Sequence, residues 1–236
     1  MEGLFWIGLF GALYSYFLYP LLLLLVSRPR PLLPAAEELP SISLIVTAHN
    51  EARRIGAKLD NCLELDYPRE RLEILVASDA SDDETDDIVA GYADRGVRLV
   101  RAVQRQGKEW AQLLAVRAAQ GEILVFSDVA TMIPADALRR LAVDFADPKV
   151  GAVSSEDRFV APGGQLVGEG LYVRYEMWLR RLESGAAGLV GLSGSFFAAR
   201  REVCEQWDVL APSDFKPALN SVRRGYIAIS DPQLLG

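Results

Sequence analysis

The segment LVFSDVATMIP, residues 124–134, decides the fold of this chain. It begins with strand-forming residues and ends on one carboxylate, Asp128, which small side chains follow. A short apolar run bounded in this way predicts a buried strand. A buried strand that stops on a carboxylate in a loop is typical of a place where a protein binds a cation or a polar ligand.

Two other apolar runs end in the same way. ISLIVTA (42–48) leads into His49 and Glu51, and LEILVAS (72–78) leads into Asp79. In an open α/β sheet, ligands bind outside the carboxyl ends of the strands, near the point where the strand order reverses. The three strand ends therefore predict one polar pocket.

From residue 41 onward, short apolar runs alternate with amphipathic segments. The predicted strands cover residues 42–48, 72–78, 97–102, 122–128 and 150–155. The predicted helices cover residues 52–65, 82–94, 108–119 and 134–145. Such alternation indicates βαβ units, and it predicts an α/β fold with a mostly parallel, Rossmann-type sheet flanked by helices.

The N-terminal run, residues 3–26, contains no charged residue. About 20 helical residues span a hydrocarbon core of about 30 Å, and the N-terminus lacks the positive charge of a signal peptide. Arg28 and Arg30 follow the run whereas Glu2 precedes it, and cations favour the cytoplasmic side. We predict a single-pass transmembrane anchor, residues 1–28, in the inner (cytoplasmic) membrane, with the rest of the chain in the cytosol.

Residues 29–40 carry four prolines and predict a stiff linker, so the folded domain is expected to occupy residues 41–236. The chain has 25 Lys and Arg against 32 Asp and Glu, a net charge of −7. This balance argues against a nucleic acid partner, because nucleic acids are bound by basic surfaces.

Several chemistries are excluded by missing residues. His49 is the only histidine, which rules out histidine-cluster metal sites and any serine triad that does not include it. The first strand is not followed by G-x-G-x-x-G, and QRQGKEW (104–110) is not a P-loop. The remaining possibility is a carboxylate-lined pocket, which suits Mg²⁺ or Mn²⁺ with a phosphate ligand.

Five segments of this chain, in this order, resemble family 2 glycosyltransferases, which are inverting enzymes with a GT-A fold. The segments are SISLIVTAHNEARRI (41–55), EILVASDASDDETDDI (73–88), QGKEWAQLLAVRAAQGEILVFSDVAT (106–131), GLSGSFFAARREV (191–203) and SDFKPALNSVRRGYIAISDP (213–232). The resemblance covers roughly residues 41–232. It implies a nucleotide-sugar donor, a Mn²⁺ or Mg²⁺ cofactor, and a glycan, lipid or protein acceptor at a membrane.

The resemblance also implies roles for individual residues. The residues implied to bind the nucleotide sugar are Thr47, His49, Glu51, Asp79, Gly107, Lys108 and Asp128. Asp128 matches the first aspartate of the metal-binding D-x-D, and Asp214 matches the general base. Ser193 and Gly194 match a loop beside the acceptor. Three of these residues have simpler interpretations: His49 as a rim histidine, Lys108 as a solvated lysine at a helix start, and Asp79 as the cap of the helix after it.

This chain departs from the family pattern at three positions. Ala130 replaces the second acid of the D-x-D, and serines occupy two positions where acids are common, Ser78 and Ser213. The chain ends at Gly236 without a Q-x-x-R-W segment, so we expect a C-terminally truncated domain. Two functions follow: an inverting transferase that uses a UDP-sugar in polysaccharide or envelope glycan synthesis, or a non-catalytic, membrane-anchored protein that binds nucleotide sugar or a partner.

Two further segments favour structural roles. The acidic run at residues 82–87 opens a predicted helix, where carboxylates cap free N–H groups and interact well with the helix dipole. Residues 172–183 place Tyr172, Tyr175 and Leu179 on one helical face. We expect this segment to be a packing helix near the membrane or the acceptor channel.

Overall fold

The apolar N-terminal run forms one long helix in the computed structural model, which describes residues 2–28, 38–156 and 171–235. The helix comprises α1 (Glu2–Leu13), a π-helical turn (Tyr14–Leu18) and α2 (Tyr19–Val26). Together they span 25 residues, and an 18-residue window within them has a mean hydropathy of 2.0, so the helix is long and apolar enough to cross a membrane. Most of the predicted linker, residues 29–37, lies outside the described residues.

A seven-stranded sheet in the order β3-β2-β1-β4-β6-β5-β7 forms the centre of the domain. Its strands are β1 (Ile42–Ala48), β2 (Leu72–Ser78), β3 (Val97–Arg101), β4 (Ile123–Asp128), β5 (Val150–Glu156), β6 (Phe196–Arg200) and β7 (Ile227–Leu235). Strand β6 is antiparallel to both of its neighbours, and the other pairs are parallel. The predicted mostly parallel α/β sheet is confirmed.

Helices cover both faces of the sheet. They are α3 (Ile55–Leu63), α4 (Thr85–Ala90), α5 (Lys108–Ala118), α6 (Ala137–Phe145), α7 (Leu171–Ala186), α8 (Arg201–Cys204) and α9 (Lys216–Arg223). Successive strand residues point to opposite faces, so the sheet contributes to two apolar clusters. One cluster includes Ile55 of α3 and Leu138 of α6, and the other includes Ala111 and Ala115 of α5.

The helix predicted at 82–94 is shorter than expected. Helix α4 ends at Ala90, a short 3₁₀ turn follows, and Gly96 then adopts a left-handed conformation with φ of 89°. Two of the acids before and within α4, Asp83 and Asp86, accept hydrogen bonds through their carboxylates. Asp83 accepts from the backbone N–H and the hydroxyl of Thr85, which holds the pKa of its carboxyl below the usual range. These contacts agree with a structural role for the acidic run.

The strand order reverses at β1, which lies between β2 and β4. In the parallel register of β1 and β4, Thr47 is paired with Asp128. The reversal therefore places the last residues of β1 and β4 side by side. This edge of the sheet is where a ligand is expected.

Helix α7 packs against the N-terminal helix, as expected for a packing helix near the membrane segment. The hydroxyl of Tyr19 donates to Glu183 at 2.8 Å, and the backbone N–H of Arg28 donates to the carbonyl of Gly185 at 2.9 Å. The Tyr16 and Tyr175 rings lie 6.2 Å apart. Of the predicted apolar face, the side chain of Tyr172 lies outside the described residues.

Gly121, two residues before β4, packs closely against the backbone of β1. A Cβ atom there would lie 2.4 Å from the backbone nitrogen of Ser43. Because this neighbour is backbone, Gly121→Ala should reduce the free energy of unfolding by about 1–3 kcal/mol. Gly56→Ala is the control, because its Cβ would meet only the Tyr92 hydroxyl at 3.6 Å within a helix, where alanine stabilises by about 0.5–1 kcal/mol. Urea unfolding of both variants checks the opposite signs, and equal effects would contradict the prediction.

Candidate functional site

A pocket of about 350 Å³ opens at the carboxyl edge of β1, β2 and β4. It is lined by Thr47, Ala48, His49, Glu51, Asp79, Arg105, Gly107, Lys108, Asp128, Val129 and Ala130. All seven residues predicted to bind the nucleotide sugar are in this set. The strand ends and the start of α5 therefore bring together residues that are up to about 80 positions apart in the sequence.

A larger cavity, of about 490 Å³, lies at the other end of the sheet beside β3. Its lining is mainly small and aliphatic, and Arg98 is its one charged residue. The Arg98 guanidinium is already paired with Glu73 at 2.5 Å. Because binding sites need several convergent polar groups, the smaller pocket is the better candidate.

Lys108 contacts both the end of β4 and the loop before β6. Its ammonium lies 2.6 Å from a carboxylate oxygen of Asp128 and donates to the carbonyl of Gly194 at 2.9 Å. About one third of each charged side chain is exposed, 33% for Lys108 and 39% for Asp128. The lysine is therefore not simply a solvated residue at the start of α5.

Asp79 shapes the loop that leads into α5. Its two carboxylate oxygens accept from the backbone N–H groups of Gln106 and Gly107, both at 2.9 Å. Gly107 has φ of 100°, a conformation that suits glycine, and it immediately precedes the first residue of α5. Both of these contacts are to the loop before α5, not to α4, the helix that follows Asp79. Its contact with the nucleotide sugar stays a prediction.

The residues at the end of β1 are held by neighbouring elements. The Thr47 hydroxyl accepts from the side-chain amide of Gln112 at 3.1 Å, and His49 Nδ1 lies 2.8 Å from the carbonyl oxygen of Asp79. The backbone N–H of Glu51 donates to Thr85 at 2.8 Å. Backbone and ring contacts fix this loop.

The predicted acceptor side is built from the loop before β6 and the segment before α9. The backbone N–H of Leu192 donates to the carbonyl of Asp214 at 2.9 Å, which ties the two segments together. A Cβ atom on Gly194 would lie 3.4 Å from a carboxylate oxygen of Asp214. Asp214 is partly buried, and its carboxylate has no hydrogen-bond or ion-pair partner among the described residues. Ser193 lies in the same loop, where its backbone N–H donates to Ser154 at 2.7 Å.

The serines and the alanine that replace family acids have different surroundings. Ala130 is exposed and lines the pocket. Ser78 is fully buried, and its hydroxyl lies within hydrogen-bonding distance of Ser81 and Asp86. Ser213 is also buried. Of the three positions, only that of Ala130 can add a ligand to the pocket by a single substitution.

Two residues at this site were missed by the sequence analysis. Arg105 lines the pocket and has no hydrogen-bond or ion-pair partner among the described residues. Lys58 of α3 lies buried beneath the turn that follows Asp128. A cation two residues before Gly107 could have indicated Arg105, since Gly107 and Lys108 were already implied to bind the nucleotide sugar, whose phosphates attract cations.

Comparison with known sequences agrees with this geometry. Residues 43–207 match the family described as Glycosyl transferase family 2. The dolichyl-phosphate beta-glucosyltransferase of Drosophila melanogaster is 32% identical over 133 residues, which cover 48% of this chain and 41% of that protein. The beta-monoglucosyldiacylglycerol synthase of Trichormus variabilis is 28% identical over 184 residues, which cover 72% and 38%. This chain thus spans about two fifths of the length of these two curated relatives.

Solved structures show the same fold. The mannosyltransferase PcManGT from Pyrobaculum calidifontis, in complex with GDP-Man and Mn²⁺, has a TM-score of 0.80 and 32% identity, with 96% of this chain and 64% of that chain covered. The expected GT-A fold is confirmed. Because the family match extends over most of the folded residues, the chain belongs to glycosyl transferase family 2.

Proposed function

We propose that this chain is an inverting glycosyltransferase that transfers a sugar from a nucleotide-diphosphate donor to an acceptor hydroxyl. The observation that carries the proposal is the position of Lys108, which contacts both Asp128 on the donor side and Gly194 beside Asp214. A leaving diphosphate and an acceptor base must lie on opposite sides of the sugar, and Lys108 joins those two regions. A UDP-sugar is the first donor to test, and a GDP-sugar is the second because PcManGT binds GDP-Man.

Few side chains of the pocket are suitable ligands for a divalent cation. In the described ranges, 2–28, 38–156 and 171–235, no group of three His, Cys, Asp or Glu side chains is placed to hold a metal ion. Mg²⁺ is commonly held by one or two carboxylates and the substrate phosphates. Asp128 with a bound diphosphate fits this mode. The cation, when bound, would stabilise the negative charge of the leaving diphosphate.

Two side chains of the pocket can add positive charge beside the diphosphate. A cation that binds Asp128 would compete with the ammonium of Lys108 and leave it available to a phosphate oxygen. Arg105 lines the same pocket, and a guanidinium can contact two phosphate oxygens at once. Such fixed charges lower the barrier where charge develops in the transition state.

On the acceptor side, Asp214 is the proposed general base. Its carboxylate would accept the proton of the acceptor hydroxyl as the hydroxyl oxygen bonds to the anomeric carbon and the bond to the diphosphate breaks. Its position beside the Gly194 loop, which Lys108 links to the donor side, supports this role. Displacement in one step from the face opposite the leaving group inverts the anomeric centre.

We further propose that the domain acts at the cytosolic face of the inner membrane. The long apolar helix Glu2–Val26 and its contacts with α7 support this placement. Two relatives, a dolichyl-phosphate glucosyltransferase and a monoglucosyldiacylglycerol synthase, are named for lipids. A lipid acceptor is therefore the first to test, before a glycan or a protein.

This topology makes a direct prediction. Because Arg28 follows the apolar helix and Glu2 precedes it, a reporter fused after Gly236 should be located in the cytosol. Paired alkaline phosphatase and green fluorescent protein fusions measure this, with fluorescence but no phosphatase activity expected. The reverse pattern would contradict the proposed access to cytosolic donors.

The function is tested by titrating the full chain in detergent with UDP and GDP, with and without Mn²⁺, and then assaying donor turnover. Binding with hydrolysis or transfer supports the enzyme. Binding without turnover supports the non-catalytic alternative, which the substitution of Ala130 for an acid favours. An absence of binding to either nucleotide would overturn both.

A further inference from the structure

Lys58 of α3 is a lysine with no exposed surface. Its ammonium donates to the hydroxyl of Ser127 at 2.8 Å and to the carbonyl of Thr131. Lysine is almost never fully buried without a partner, because removing an ammonium from water is costly. The two hydrogen bonds of the ammonium therefore offset part of the cost of burying its charge at this position.

The two acceptors of Lys58 flank the turn that carries Asp128. Ser127 is the residue before Asp128, and the backbone N–H of Thr131 donates to the carbonyl of Asp128 at 3.2 Å. The hydroxyl of Ser127 lies 3.2 Å from the same carbonyl. Lys58 thus holds both ends of the segment that lines the pocket through Asp128, Val129 and Ala130.

The charge of Lys58 also acts on Asp128. Burial lowers the pKa of Lys58 to about 8, and attraction to the Asp128 carboxylate opposes part of this decrease. At pH 7 the ammonium is therefore mostly charged. Inside a protein such a charge is screened less than in water, so it attracts the Asp128 carboxylate from behind the turn.

We propose that Lys58 is a positioning residue of the donor site, which fixes the Ser127–Thr131 turn and thereby aims the carboxylate of Asp128 at the cation and the diphosphate. This inference rests on the proposed function, since it assigns Lys58 a part in donor binding. Lys58 itself makes no contact with the donor, and it acts only through the turn and through its own charge.

The test is Lys58→Met in the full chain, which removes the charge and keeps an unbranched side chain. The melting temperature should fall modestly, because the buried Ser127 hydroxyl and Thr131 carbonyl lose their donor. The affinity gain that Mn²⁺ gives to UDP or GDP should fall about tenfold, as expected for loss of a coupling of typical size. Titration calorimetry with and without Mn²⁺ and thermal unfolding give the two readouts.

Leu59→Met is the matched control, because Leu59 is a fully buried neighbour on the same helix, and it should leave the Mn²⁺ effect unchanged. A Lys58→Met protein that is less stable but keeps the full Mn²⁺ effect would overturn the inference and leave the proposed function intact. If wild-type protein binds neither nucleotide, both are overturned.

If Lys58→Met does not fold, Ser127→Ala decides. That variant keeps the ammonium and removes one of its two acceptors, so the Mn²⁺ effect should fall by roughly threefold, a partial loss of the coupling. An unchanged Mn²⁺ effect in folded Ser127→Ala would overturn the inference.

Discussion

Replacing Asp214 with asparagine should slow sugar transfer by about 10²–10⁴-fold, the usual contribution of general base catalysis. Asparagine has the size of aspartate but cannot accept the proton of the acceptor hydroxyl. The carboxylate lies beside Gly194 and is not among the residues that line the donor pocket, so the affinity for UDP or GDP should change little. Transfer rates at saturating donor and nucleotide titrations measure the two effects separately.

Asp208→Asn is the matched control for this experiment. Asp208 lies six residues earlier and pairs with Lys216 at 2.9 Å. Its loss should leave the transfer rate unchanged. If Asp214→Asn weakens nucleotide binding as much as it slows transfer, Asp214 holds the nucleotide or the fold instead of accepting a proton.

Asp128→Ala should abolish the dependence of nucleotide affinity on Mn²⁺. Asp128 is the one acid in the D-x-D position of this chain, because Ala130 replaces the second. The nucleotide phosphates must then supply many of the cation ligands, so cation and nucleotide should each tighten the binding of the other. That mutual factor is typically 5–150-fold, and Asp128→Ala should reduce it to about one. UDP affinity across a range of Mn²⁺ concentrations measures it.

Two companion variants make this test specific. Ala130→Asp restores the missing acid at an exposed position in the pocket, and it should strengthen Mn²⁺ binding in the absence of nucleotide. Asp136→Ala removes a nearby carboxylate that pairs with Arg140 on the surface, and it should change nothing. A wild-type affinity that does not vary with Mn²⁺ would refute the role of Asp128 as a cation ligand.

The parallel core and the position of the pocket at the strand ends could be predicted from the sequence. Strands β1 and β2 begin and end at the predicted residues, because each is a buried run of strand formers bounded by polar loops. The position of the pocket followed because parallel strands end on the same edge. The resemblance to a family then gave individual roles, which stay predictions for Asp79, Asp128 and Asp214.

Other features could not be predicted in this way. The run FFAAR (196–200) is short and apolar, and periodicity does not reveal that β6 is antiparallel. Lys58 was missed because a lysine in an amphipathic helix is usually solvated. The signal was its spacing: Ile55, Lys58, Leu59 and Cys62 lie on one helical face, and all are buried. A charged residue on the apolar face of a helix indicates that buried hydrogen-bond partners lie opposite it.

Because β6 lies late in the chain, the two parts of the site form one after the other during synthesis. The donor pocket is formed by residues between 47 and 130, whereas Gly194 and Asp214 come later in the chain. The pairing of Ser127 with Phe196 joins the two parts and closes a loop of about 70 residues, and distant pairings of this kind form slowly. A nascent chain can therefore form the pocket proposed to bind nucleotide while the segment that bears Asp214, the proposed base, is still untranslated.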